Sequence, residues 1–452
     1  MAFDCLIRGG MVVRASGVER LDIALEDGRI ASVSPEITAP ARTTIDASGL
    51  HVFPGVLDAH VHFNDPGRDA WEGVPTGSAA LAAGGGTCFI DMPLNSSPPT
   101  LDADSFDRKL AACRGRAFAD FALWGGLTPG NLDQMEALAD RGVVGFKAFM
   151  SSSGIDDFLF CDDESLYKGM RIAARLGLPV AVHAENNGMT SALSGLARQK
   201  GRTSVRDYLD SRPIAAEAEA ISRALSFAED TGCALHVVHT SSARGVRLIR
   251  QAVAAGLCDA TCETCPHYLL LSADDMERMG ARAKCAPPLR SAEERELLVR
   301  EVAAGSVDTI GSDHSPSPPD MKQSQDFFKV WGGISGAQTT LRALLSLSLP
   351  MPLVAAMVSD NVARRFRLPG KGGILPGRDA DFVLVDLSAA QAVSEAELLD
   401  RHHLSPYVGR VLCGAVRRTI LRGQTVYQDG AIRGKPQGRH LTPGAGTDAT
   451  EK

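Results

Sequence analysis

Between residues 53 and 312, short apolar runs alternate with amphipathic ones, and this alternation limits the fold more than anything else in the chain. The strand-like runs are 53–62, 87–92, 119–125, 143–149, 179–184, 234–240, 257–263 and 307–312. Ala- and Leu-rich stretches with helical spacing separate most of them, for example 131–141, 163–176, 214–230, 243–255 and 291–304. Strands separated by helices pair in parallel, because each return to the same end of a sheet needs a crossover. Eight such units over about 300 residues predict an α/β protein built as a (β/α)8 barrel, here residues 53–369. The flanks read differently. Residues 1–52 and 370–452 carry short β-rich runs broken by turns such as Glu26-Asp27-Gly28-Arg29, with further runs at 379–387 and 410–430. They predict a small β-domain made from both ends of the chain, with 443–452 as a loose tail.

Bulk properties exclude several classes of function. A net charge of −7, from 47 basic and 54 acidic residues, argues against a broad nucleic-acid surface. No stretch approaches the ~20 apolar residues of a membrane span, and Met1-Ala2-Phe3-Asp4-Cys5 opens no basic and then apolar leader. The ten cysteines are scattered, as expected for free thiols in a reducing cytoplasm. Cys262-Glu263-Thr264-Cys265 has no second such pair, so a structural zinc there is disfavoured.

The chemistry lies at the predicted strand tips. The first strand runs into Asp58-Ala59-His60-Val61-His62. Residues i and i+2 of a strand share a face, so His60 and His62 present two imidazoles side by side. The fourth strand carries Lys147, the fifth ends in His183, the sixth in His239 and the eighth in Asp313. Barrel enzymes place catalytic groups at these carboxyl ends. Four histidines and an aspartate exceed the three protein ligands usual for one catalytic zinc. Two cations about 3.5–4 Å apart, sharing a bridging hydroxide, use them all. An ammonium beside two cations is repelled, so Lys147 is expected neutral or carbamylated, the carbamate serving as a bridging carboxylate. Zinc is the default metal, while cobalt, manganese or nickel suit the same donors.

Other residues have plainer readings. His236 lies three residues before His239 and faces away from the tips, as core or helix-packing histidine. His267 supports the site from behind or belongs to a loop, and His314 supports the end of the eighth strand. His402-His403 reads as an exposed helical pair, and Gly84-Gly85-Gly86 as a helix terminator. Residues Ser151–Asp163 form either a loop that closes over the site or an ordinary solvated one.

His60-x-His62, Lys147, His183, His239 and Asp313 resemble the ligand set of the cyclic amidohydrolases of the amidohydrolase superfamily, a group of dihydroorotases, hydantoinases (dihydropyrimidinases) and allantoinases. The flanking segments Asp65-Pro66-Gly67-Arg68, Met92-Pro93-Leu94-Asn95, Lys284-Cys285-Ala286-Pro287-Pro288-Leu289-Arg290 and Ser312-Asp313-His314-Ser315-Pro316 are similar to the allantoinase branch. The resemblance implies a barrel with a β-sandwich from both termini, two zinc ions bridged by carbamylated Lys147, a homotetramer, and a small cyclic ureide as substrate. It implies opening of the hydantoin ring of allantoin to allantoate, with Asp313 as general acid and base. Asn95 and Ser312 are expected to contact the ring, with main-chain groups near Ser315 and Cys285. Asn64 stands where related dihydroorotases carry a carboxylate-binding arginine, Cys285 where they carry asparagine, and Ser152 where hydantoinases carry tyrosine. Ser317 departs from the allantoinase pattern, which has cysteine there. The alternatives are a hydantoinase or dihydropyrimidinase, and a metal-free structural or interaction homologue.

Overall fold

The computed structural model describes residues 2–444. Eight parallel strand units form its centre: β1 (Val56–Val61), β2 (Gly86–Asp91), β3 (Asp120–Leu123 continued by Gly125–Leu127), β4 (Phe146–Phe149), β5 (Val180–His183), β6 (Leu235–Val237), β7 (Ala260–Thr264) and β8 (Thr309–Ile310). The strand expected over 53–62 is two elements divided at Gly55. A Cβ at Gly55 would lie 2.1 Å from Thr87 Oγ1, so only glycine lets the chain pass there. The first half of β3 pairs with β2 and β2 with β1; the second half pairs with β4, and β4 to β8 follow in sequence order. Single backbone hydrogen bonds also run between the two parallel sheets. Val144 N–H donates to Leu123 O (3.0 Å), and His62 N–H donates to His314 O (2.8 Å) beside a parallel bridge between Val61 and His314. Every residue of β1, β2, β4 and β5 is buried, the pattern of parallel strands covered on both faces.

The helix Asp163–Leu176 illustrates how local sequence sets the crossovers. Asp162 caps it by accepting from Ser165 N–H, and Asp163 and Glu164 in the first turn suit the positive end of the helix dipole. Leu166, Met170 and Ala173 turn inward at helical spacing, and Gly177 ends the helix at φ 64°. Gly84 and Gly85 likewise end the helix Val74–Ala83.

Both termini enter one nine-stranded sheet. Its junction is the antiparallel pairing of His51–Pro54 with residues 382–385. Lys371 fastens this sheet to the amino-terminal end of β3. Its buried Nζ lies 2.6 Å from Asp120, 2.7 Å from Asp381 and 3.0 Å from Asp379, and Arg422 also pairs with Asp120. Of the tail expected over 443–452, only Pro443 and Gly444 are described, and Gly444 N–H donates to Arg367 O. His402 and His403 are not helical. They sit in a turn where His403 has φ 54° and the His402 ring lies 2.9 Å from Ala70 O. No helix among the described residues is long and apolar enough to cross a membrane.

Candidate metal centre and catalytic cavity

The carboxyl ends of the parallel strands bring the six sequence candidates to one place. Asp313 Oδ1 lies 3.3 Å from His60 Nε2 and 3.4 Å from His62 Nε2. Ligand atoms of His60, His62 and Asp313 all fall within 4.8 Å of one another. Across the floor, His183 Nδ1 and His239 Nε2 are 3.1 Å apart, and the His60 and His239 ring centroids are separated by 5.3 Å. Lys147 projects from β4 near enough to oppose positive charge on His183 and His239. Its amine is buried without a hydrogen-bond partner, 4.4 Å from the centre of the Phe149 ring. His239 and Asp313 both adopt left-handed backbone (φ 39° and 47°), a conformation that non-glycine residues keep only where surrounding structure enforces it.

Three of the four histidines meet an acceptor on the ring nitrogen turned away from the centre. Glu263 lies 2.7 Å from His60 Nδ1, Leu94 O is 3.1 Å from His62 Nδ1, and Glu185 is 2.9 Å from His183 Nε2. An acceptor holds the proton on the nitrogen it faces, so the opposite nitrogen of each ring offers its lone pair to the centre. Sequence reasoning missed both carboxylates. Glu263 is the polar residue at the tip of the seventh strand, the same signal that picks out His183 and His239. Glu185 follows His183 at i+2, on the same face.

Burial holds His62 and His183 below the ordinary imidazole range and His239 well below it. Burial also brings the Lys147 amine down to about 7. It opposes charge on Asp313 as well, but His60 and His62 outweigh it and keep that carboxyl well under the usual carboxylate range. Four imidazoles, an ionised carboxylate and a partnerless amine make a donor set suited to positive charge. The centre therefore fits divalent cations.

Above it opens a cavity of about 330 Å³, near the lower end of the size range of small-molecule sites. Asn95, Ser315 and Cys285 line it, and Asn95 Nδ2 donates to Ser315 Oγ (3.4 Å). The Tyr208 hydroxyl donates to Cys285 O (2.9 Å), and burial pushes the Cys285 thiol up to about 12, so it stays neutral. Ser312 is not on the wall. It lies beneath the floor, where its hydroxyl donates to His60 O and accepts from His314 N–H. Ser152, Ser153 and Gly154 put the 151–163 segment on one side of the cavity, and Arg68 ties that segment down through Asp157 (2.9 Å) while donating to Asn95 O (2.9 Å). Lys284 holds the opposite wall, donating to Phe327 O and Val330 O.

The remaining candidates stand apart. His314 accepts from Gly336 and Ala337 N–H and faces Glu72, bracing the strand end. His267 is buried with both ring nitrogens unpartnered, and burial takes it down to about 4. Cys262 and Cys265 are free buried thiols outside the cation-binding groups found among the described residues.

Comparison with known proteins agrees with this geometry. Residues 51–426 match the model of the amidohydrolase family. The chain is 55% identical to an allantoinase of Rubrobacter xylanophilus and 53% identical to one of Deinococcus radiodurans, each over 98% of this chain and at least 98% of the relative. Among solved structures, the L-hydantoinase (dihydropyrimidinase) of Arthrobacter aurescens superposes with a TM-score of 0.95 at 35% identity, covering 97% of this chain and 100% of that one. The chain belongs to the amidohydrolase family.

Proposed function

We propose that the protein is a metal-dependent allantoinase, which opens the hydantoin ring of allantoin, a small cyclic ureide, to give allantoate. The carrying observation is the meeting of four histidines, Asp313 and the partnerless Lys147 amine under one cavity, in a chain matched end to end by allantoinases. His60, His62, Lys147, His183, His239 and Asp313 would hold two divalent cations, zinc by default. A buried lysine titrating near 7 keeps a fraction of free amine at neutral pH, the form that carbon dioxide converts to a carbamate. The carbamate of Lys147 carries the anionic oxygens this donor set lacks.

Bound there, the cations would supply Lewis-acid chemistry, lowering the pKa of water toward neutrality and polarising the scissile carbonyl. Asp313 accepts the proton of the attacking water and returns it to the ring nitrogen as the carbon–nitrogen bond breaks. The Asn95 amide and Ser315 hydroxyl hold the ring from one wall, and the main chain at Cys285 does so from the other. In the same reading the parallel strands make a closed (β/α)8 barrel. The two-ended sheet makes a β-sandwich from residues 2–54 with those from 370 to 444, and the barrel begins after Gly55 rather than at 53. The working protein is a cytoplasmic homotetramer.

A panel of allantoin, hydantoin and dihydrouracil, assayed on one sample whose metal content is measured, tests the reading. The expected result is two metal equivalents per chain with allantoin hydrolysed fastest. A dominant rate on dihydrouracil overturns the substrate, and a metal-free inactive protein overturns the enzyme.

A further inference from the structure

A single buried carboxylate beneath the floor reaches three histidines. Glu263 Oε1 lies 2.7 Å from His60 Nδ1 and 3.3 Å from the backbone nitrogen of His239, while Oε2 lies 3.6 Å from His236 Nε2. All four side chains are at most 3% exposed. The other nitrogen of His236 is 2.8 Å from Thr261 Oγ1, and its ring packs edge-on against Phe366. His236 thus faces away from the cavity, packs in the core against Phe366, and lies behind Glu263 just beyond hydrogen-bond distance.

The space for this arrangement comes from Gly311 at the tip of β8. A Cβ there would lie 2.7 Å from the Glu263 carboxyl and 2.8 Å from His60 Cβ. Neither contact is one a real side chain tolerates. The glycine therefore allows β8, which carries Asp313, to pass directly beside the Glu263–His60 pair.

We propose that Glu263 is the positioning residue of the metal centre: it fixes the ring orientation of His60 and the left-handed turn of His239, with His236 as its brace and Gly311 as its clearance. The proposal rests on the reading of His60 and His239 as ligands. Those two histidines come from opposite clusters, one paired with His62 and Asp313 and the other with His183. One carboxylate therefore sets the relative placement of both halves of the centre. Outer partners of this kind are worth 10–100-fold in metal affinity.

The test measures zinc affinity by chelator competition on the full-length protein, together with the visible spectrum of the cobalt-loaded form. E263Q removes the charge, E263D retracts it from His60, and G311A crowds it while leaving the carboxylate itself unchanged. All three are expected to weaken metal binding by about 10–100-fold and to alter the cobalt bands, with wild-type circular dichroism. H236F is expected to do so more mildly, since it removes only the brace. Wild-type affinity and spectrum in E263Q and G311A overturn the proposal. So does an E263Q that fails to fold beside an E263D that folds and binds metal normally, because Glu263 is then only structural. Wild-type protein that takes up no metal refutes the function proposed above instead, and the two failures are distinguishable.

Discussion

Replacing Lys371 by methionine isolates what holds the two-ended sheet to the parallel strands. The substitution keeps the volume of the side chain and removes one positive charge from among three carboxylates at 2.6–3.0 Å. Breaking a buried ion pair from one side costs about 3–5 kcal/mol, because the partner is left charged and unsolvated. Two features set the value near the lower limit. Asp120 keeps Arg422, and Asp379 is 13% exposed, so water reaches it. The stranded group is Asp381, whose carboxyl burial already raises. The expected loss is about 3 kcal/mol at pH 8, roughly a hundredfold in the unfolding equilibrium. It shrinks toward pH 5, because Asp381 in the variant can take up a proton and shed its charge. The double variant K371M/D381N should recover much of the loss at pH 8, since an amide oxygen still accepts from Arg422 N–H as Asp381 does. Urea denaturation of metal-loaded protein at both pH values, with reversibility checked, measures these quantities. A K371M loss below 1 kcal/mol at pH 8, or one equal at both pH values, refutes the reasoning.

Chelation should abolish ring opening, and zinc with bicarbonate should restore it in the wild type but not in K147M, as followed by allantoate release and metal content. D313N is expected to lower kcat by about 10²–10⁴-fold with little change in KM. A KM effect alone would deny Asp313 its proton-transfer role. Burial lowers the His440 imidazole to about 4. The unfolded chain therefore binds a proton below about 6.5 that the folded chain refuses, and the contribution of His440 to stability falls as pH drops from 6.5 toward 4. Because His440 packs on Phe106 and Phe121, the carboxyl-terminal segment should be cut faster by protease at pH 5 than at pH 7, and H440F should remove the difference.

Much of the centre was readable from strand-tip residues alone. His60, His62, Lys147, His183, His239 and Asp313 each end or precede the end of an apolar run, and a parallel fold sends such ends to one side. Period-two reasoning also turned His236 away from the cavity. The polar ring behind the ligands was harder to see. Glu263 sits in a Cys-x-x-Cys frame whose pattern points to sulfur chemistry, and Glu185 carries meaning only beside a His183 Nε2 that needs an acceptor. Strand-tip position alone puts Ser312 beside the substrate, whereas its hydroxyl is taken by His60 O and His314 N–H beneath the floor. Lys371 also reaches Asp120, 251 residues away, where no local pattern marks a partner.

The pairing of His51–Pro54 with 382–385 also imposes a schedule on synthesis. The amino-terminal strands leave the ribosome first, yet the neighbour of His51–Pro54 is translated more than 300 residues later. At 5–20 residues per second that interval is roughly 15–65 s. Throughout it the nascent chain presents an open strand edge, the kind of surface on which holding chaperones act.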